Sequence, residues 1–218
     1  MAFQYRNSAA SNLDTDNVTL NGVQPGSLVV VFFCSFFSGE DYGTVTCSDG
    51  SALSECTPAP GSYEYIKAFY HLASGSGDKT YTITGEHDSY SICAFEFSYA
   101  GTCELDDQDQ GHDDETSAIA TANITTTGAA SELVIACALS YASFGMSSPL
   151  INGVSAGGSI ALSVWSGAGL AWYRIVNSTF TGNASCTDES SGYWVANVIS
   201  FKEVAAASGK PYYYQANQ

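Results

Sequence analysis

Hydrophobic positions in this chain recur at every second residue or fill short unbroken runs, and polar turn text separates them. Alternation and β-branched or aromatic enrichment predict strands over 18–21, 27–37, 43–47, 63–72, 79–84 and 89–99 in the first half. The second half offers 117–126, 131–141, 159–166, 170–177 and 192–204. Turn text such as Asp49-Gly50, Pro58-Ala59-Pro60-Gly61, Asn152-Gly153 and Gly157-Gly158 lies between them. No segment of helical length carries an apolar face at 3.6-residue spacing. Many short strands with such turns predict an all-β sandwich or barrel.

Two details sharpen the pattern. In the strand around 91–99, Cys93, Phe95, Phe97 and Tyr99 share one face, opposed by Ala94, Glu96 and Ser98. A single aromatic face predicts packing against a second sheet. By contrast, Leu28 to Phe37 is apolar on both faces, as in a central strand covered on both sides. Loops or a neighbouring subunit would supply the second cover.

The strand text is also written twice. Gly26-Ser27-Leu28-Val29-Val30 returns loosely as Ser131-Glu132-Leu133-Val134-Ile135, and Ala94-Phe95-Glu96-Phe97 returns as Val198-Ile199-Ser200-Phe201. Leu28 and Phe97 are 69 residues apart, Leu133 and Phe201 are 68. Phe69-Tyr70 and Trp172-Tyr173 sit at similar depth in each half. Matched spacing at both ends predicts two similar halves, about 22–101 and 128–203, in one sandwich domain over 1–205. Residues 206–218 form a separate tail, and its Tyr212, Tyr213 and Tyr214 are the candidate assembly residues.

Composition narrows the function classes. Charged residues make up only 13% of the chain, so uncharged polar side chains must keep its surface wet. Six Lys and Arg against 22 Asp and Glu give a formal charge of −16, and the cations are scattered. That field repels phosphate polymers and anionic membranes, which argues against nucleic acid or membrane as partners. No apolar run approaches the roughly 20 residues of a membrane helix. The first residues, Met1 to Asn7, do not read as a signal peptide.

Candidate chemistry is sparse. The seven cysteines show no C-x-x-C and no zinc spacing, and mostly reduced thiols are expected, with Cys47–Cys56 the best disulfide candidate on spacing. The stretch 104–115 holds seven acids in twelve residues and reads as a solvated loop, with a cation site as the alternative. His71, His87 and His112 lie in unlike settings, and no G-x-S-x-G elbow is present. Glu96 reads as a structural acid, paired with Arg174 or Lys67, or as a surface acid, rather than as a catalytic one. Trp165, Trp172 and Trp194 could join a sugar-stacking platform, although Trp172 and Trp194 lie in strand text and read as core. Tyr42, Tyr63, Tyr65 and Tyr90 border turns and are better placed for an exposed ligand surface. The residues therefore predict no enzyme, no cofactor, no metal and no catalytic side chain.

Gly26-Ser27-Leu28-Val29-Val30, Ser48-Asp49-Gly50, Phe69-Tyr70-His71-Leu72-Ala73, Thr80-Tyr81-Thr82-Ile83 and the run from Ala94 to Gly101 together resemble a diffuse family. Its members are jelly-roll-like β-sandwich structural proteins of tailed phages and bacteria. The resemblance covers roughly residues 20 to 203 and includes the closing strand at Phe201-Lys202. It implies a virion location and a non-enzymatic capsid decoration or other surface component. It also implies homo-oligomers, a trimer being one form, and contact with other virion proteins. A carbohydrate-binding module or adhesin that meets surface glycans is the competing expectation, and a glycoside hydrolase the third.

Overall fold

The computed structural model describes residues 2–11, 15–36, 43–60, 64–85, 90–113, 116–127, 131–141, 143, 145–164, 167–179 and 181–204. Within them the chain is all-β. The first half contains β1 (Gln4–Ala10), β2 (Asn17–Val23), β3 (Leu28–Phe36), β4 (Thr44–Cys47), β5 (Ser54–Glu55), β6 (Ala59–Pro60), β7 (Glu64–Leu72), β8 (Gly77–Thr84) and β9 (Tyr90–Ser98). The second opens with β10 (Thr102–Asp113), β11 (Ala118–Ala120), β12 (Ile124–Thr125), β13 (Glu132–Tyr141), β14 (Met146–Ile151) and β15 (Val154–Ser155). It closes with β16 (Gly158–Val164), β17 (Gly167–Val176), β18 (Thr181–Gly182), β19 (Ala184–Asp188) and β20 (Trp194–Val204).

Each half pairs as one long antiparallel ribbon. In the first, β1 pairs β9, β2 pairs β8 and β3 pairs β7; in the second, β10 pairs β20, β11 pairs β19 and β13 pairs β17. The resulting large sheets have the orders β1-β9-β3-β7-β5 and β10-β20-β13-β17-β16, and the small sheets β2-β8-β4 and β11-β19-β14-β15. A two-stranded β12-β18 sheet accompanies the second half.

The duplication extends to register. Leu28 stands opposite Phe97, and Leu133 opposite Phe201. Three residues on, Val31 faces Phe69 and Ala136 faces Trp172. Even the irregularities match. Tyr5 pairs with Phe97 and the ladder slips before Asn7; Leu105 pairs with Phe201 and slips before Asp107. The repeat thus begins upstream of residues 22 and 128, because β1 and β10 belong to it.

Three apolar layers separate four sheets. Val29, Val31 and Phe33 of β3 meet Val18, Leu20 and Tyr81 beneath the first small sheet. Leu28, Val30, Phe32 and Cys34 point the other way, into a layer shared with Leu133, Ile135, Cys137 and Leu139 of β13. Val134, Ala136 and Ala138 then meet Trp172, Ile151 and Ala184 in the second half's own core. The two-faced apolar pattern of β3 is therefore explained by the other half of the same chain, which supplies the cover assigned above to loops or a neighbouring subunit. Each buried Leu or Phe contributes about 1.5–3 kcal/mol, so the shared middle layer binds the two sandwiches back to back.

The acidic stretch is the main departure. Up to Asp113 it is strand β10, in register with β20 from Thr102↔Val204 to Asp113↔Trp194. Asp disfavours strands, but the eleven residues of β20 offer a ladder interrupted only at Asp106, against a buried apolar wall, and pairing overrides propensity. Residues 114 and 115 lie outside the described residues.

Candidate functional site

Three acids of β10, Asp106, Asp107 and Asp109, are engaged by neighbouring groups. Asp106 accepts hydrogen bonds from the Thr127 N–H at 2.5 Å and from the Thr127 hydroxyl, and pairs with Lys202 Nζ at 3.0 Å. Burial opposes its charge, but these partners outweigh burial and hold the carboxyl below its usual value. Asp107 accepts from the N–H groups of Gln108 and Thr125, and Asp109 from that of Gln110. Asp106 and Asp107 thereby fasten 125–127 along the outer side of β10. Among the described residues, no group of three or more His, Cys, Asp or Glu side chains is placed to hold a metal ion.

The opposite side of β10 meets the first half. Gln108 and Thr57 exchange two hydrogen bonds, Thr57 N–H to Gln108 Oε1 at 3.1 Å and Gln108 Nε2–H to Thr57 Oγ1 at 2.7 Å. Asn197, opposite Gln110 in the ladder, donates from Nδ2 to the Thr57 carbonyl at 3.0 Å. Beside them lies a cavity of about 160 Å³ lined by Thr57, Gln108, Asp109 and Gln110. Among the described residues, the buried Gln110 Oε1 and Asn197 Oδ1 have no hydrogen-bond partner. A donor such as water or a hydroxyl in the cavity suits the Gln110 amide oxygen.

Two further polar clusters are internal. In the first half, Lys79 is buried and donates to Asp49 Oδ2 across the end of the small sheet, while Asp49 Oδ1 accepts from the Ser51 N–H. The Lys79 ammonium, then the Ser51 contacts, hold the Asp49 carboxyl well below its usual value. Nearby, His71 Nε2 and the Tyr81 hydroxyl are 2.9 Å apart, and burial lowers the His71 pKa. In the second half, Asp188 accepts from Ser140 Oγ–H at 2.5 Å, Ser143 Oγ–H at 2.6 Å, Ser190 N–H at 2.9 Å and Gly192 N–H at 3.1 Å. It is opposed by its own burial, yet these donors hold its carboxyl low. A side chain at Gly192 would strike the Tyr141 carbonyl, with 1.9 Å to an added Cβ. The Asp188 knot ties the turn after β13 to the turn before β20. No sequence reading singled it out; its only signal was Asp188 preceding the Ser190-Ser191-Gly192 turn.

Several expected contacts are replaced by others. Glu96 pairs with neither Arg174 nor Lys67; it accepts from the Gln24 N–H at 2.9 Å. Arg174 donates to the Ile151 carbonyl, and Lys67 meets Glu55 at 3.4 Å. Glu96 and Arg174 are separated by the sheets: Arg174 pairs with Val134 on the β13–β17 ladder, and Glu96 with Val29 on β9–β3.

All seven cysteines are free thiols. Cys47 belongs to the core between the first half's own sheets, whereas Cys56 lies in the layer between the halves. The candidate Cys47–Cys56 pair therefore does not form, because the first large sheet stands between them. Burial instead brings Cys34 and Cys137 together.

The aromatic surface is also smaller than expected. Tyr65 is 4% exposed and Tyr90 half-buried, its hydroxyl donating to Asp16. Trp172 and Trp194 are core residues. Tyr5 and Tyr141 are more exposed, at 43% and 42%. Tyr5 stacks on Tyr173, ring centres 5.2 Å apart, and Tyr141 meets Phe36 edge-on, so both bridge the two halves. His112 is exposed on β10. Tyr42, Tyr63, His87, Trp165 and the tail residues Tyr212, Tyr213 and Tyr214 lie outside the described residues.

No family model, no curated protein and no solved structure matches this chain.

Proposed function

We propose that this chain is a non-enzymatic structural protein of a virion, a head decoration or other surface component of a tailed phage, which assembles as a homo-oligomer. The observation that carries the reading is the ribbon pairing, first strand with last and second with second-last, used twice in one chain with matched register. Such wrapping is of the jelly-roll kind. Back-to-back docking through one shared apolar layer joins the two halves into a single double unit. Asp49, Asp106, Asp107 and Asp188 accept hydrogen bonds from neighbouring turns and strands, and most of the thiols lie in the cores. Removing residues 209–218, with Tyr212, Tyr213 and Tyr214, should leave the melting temperature unchanged and weaken attachment to particles; unchanged attachment would show that the tail is no anchor.

A second reading, a carbohydrate-binding module, is favoured by one observation. The seam cavity is lined by Gln110, whose buried amide oxygen has no partner among the described residues and suits a sugar hydroxyl as donor. A glycan screen separates the readings. Saturable binding by the soluble protein that is lost in Gln110→Ala would favour the module. Sustained release of reducing sugar would refute both.

A further inference from the structure

Sheet edges are where β proteins meet each other, because an edge strand carries a row of unpaired backbone donors and acceptors. Nearly every edge here is blunted. β1 and β10 slip register, at Tyr5/Asn7 and Leu105/Asp107, and the outer side of β10 is fastened to 122–127. β2 slips between Leu20 and Val23. β4, β11 and β15 are four, three and two residues long. On the first large sheet, the far edge is broken into the two-residue β5 and β6, with Pro58 and Pro60 and the Glu55–Lys67 ion pair beside them.

The far edge of the second large sheet is different. β16 is seven residues long, Gly158-Ser159-Ile160-Ala161-Leu162-Ser163-Val164, and contains no charge and no proline. Its ladder with β17 runs without a slip from Gly158↔Tyr173 to Val164↔Gly167. Among the described residues, no strand pairs with its other side. Leu162 and Val164 belong to the middle core, which fixes the strand's orientation and leaves Ser159, Ala161 and Ser163 exposed.

We propose that β16 is the interface of the homo-oligomer, pairing antiparallel with β16 of a second copy across a two-fold axis through Ala161. This rests on the oligomeric reading above and supplies its contact. The occupant follows from charge and shape. Two copies at −16 each repel, so self-association demands a charge-free seam, and β16 provides one. An isologous contact must also be self-complementary. Centred on Ala161, the pairing sets alanine against alanine and Ser159 against Ser163, small side chains that let backbones approach. Two five-stranded sheets then join into one of ten, and a dimer rather than a trimer is the basic unit.

The test uses the full chain. Light scattering after size exclusion should give a dimer for the wild type. Ala161→Lys and Ala161→Glu, each at an exposed position, should each run as a folded monomer with a near-native melting temperature, since like charges then face each other across the axis. An equimolar mixture of the two variants should restore the dimer. In hydrogen exchange, the amides of 158–164 should be protected in the wild type and lose protection in either variant. Dimers that persist in both single variants would overturn the β16 contact while leaving a homo-oligomer in place. A wild type that stays monomeric would also overturn it. The virion reading is decided separately, by whether the chain is present on particles.

Discussion

The Sγ atoms of Cys34 and Cys137 lie 3.4 Å apart in the apolar layer between the two large sheets. One comes from the central strand of each half, so this thiol contact marks where the halves meet. Burial pushes the Cys137 and Cys93 thiols well above their usual range, and Cys56, Cys103 and Cys186 up to about 12. Raised thiol pKa means little thiolate at pH 8 and slow alkylation. Native protein should therefore label slowly, at the half-buried Cys103 before the others, whereas denatured protein should label at all seven. Stoichiometric labelling of Cys34 or Cys137 in folded protein would contradict a closed middle layer.

A shared layer also predicts cooperativity. Leu28→Ala and Leu133→Ala should each cost about 2–5 kcal/mol, because both side chains are fully buried in the same core. Either variant should unfold in one transition by both near-ultraviolet and far-ultraviolet signals. Two separate transitions would mean that the halves stand independently.

The Asp188 knot predicts an acid-sensitive turn pair. Asp188→Ala should cost about 3 kcal/mol, since four donors lose a charged acceptor in a buried site. Its folded carboxyl lies below the ordinary value, so its contribution is complete above that value and disappears as pH falls through the folded one. Asp106 follows the same sign. Denaturant titrations from pH 6 to pH 2 should show stability falling in the wild type and a flatter profile in Asp188→Asn.

His71 acts at higher pH. Its folded pKa is lowered from 6.5, chiefly by burial, so the unfolded chain takes up a proton first as pH falls. Stability should begin to drop below about pH 6.5 and continue down to the folded pKa. His71→Gln keeps a partner for Tyr81 without titrating and should remove this early phase. An unchanged pH profile would show that His71 does not set it.

Much of this was legible in the chain, and the misses share one cause. β3 and β13 announce themselves because both faces are apolar, and the Leu28/Phe97 and Leu133/Phe201 spacing marked pairs that are direct ladder partners. β1, β10, β14 and β19 did not read as strands. Gln4–Ala10 is polar, Met146–Ile151 contains Pro149, and Ala184–Asp188 ends in the knot. Each is held extended by a neighbour rather than by its own pattern. Which acid meets which base, or which cysteine meets which, depends on the side of a sheet a residue occupies. Thus Cys47 and Cys56 fall into different cores although nine positions apart.

The central claim, a structural role on a virion surface, is tested most directly by quantitative mass spectrometry of gradient-purified particles from the organism that encodes the chain. The account predicts peptides of this protein in the particle band, at a fixed ratio to the major capsid protein that repeats between preparations. Their absence from particles, with the protein found only in the soluble fraction or on the cell surface, would contradict it.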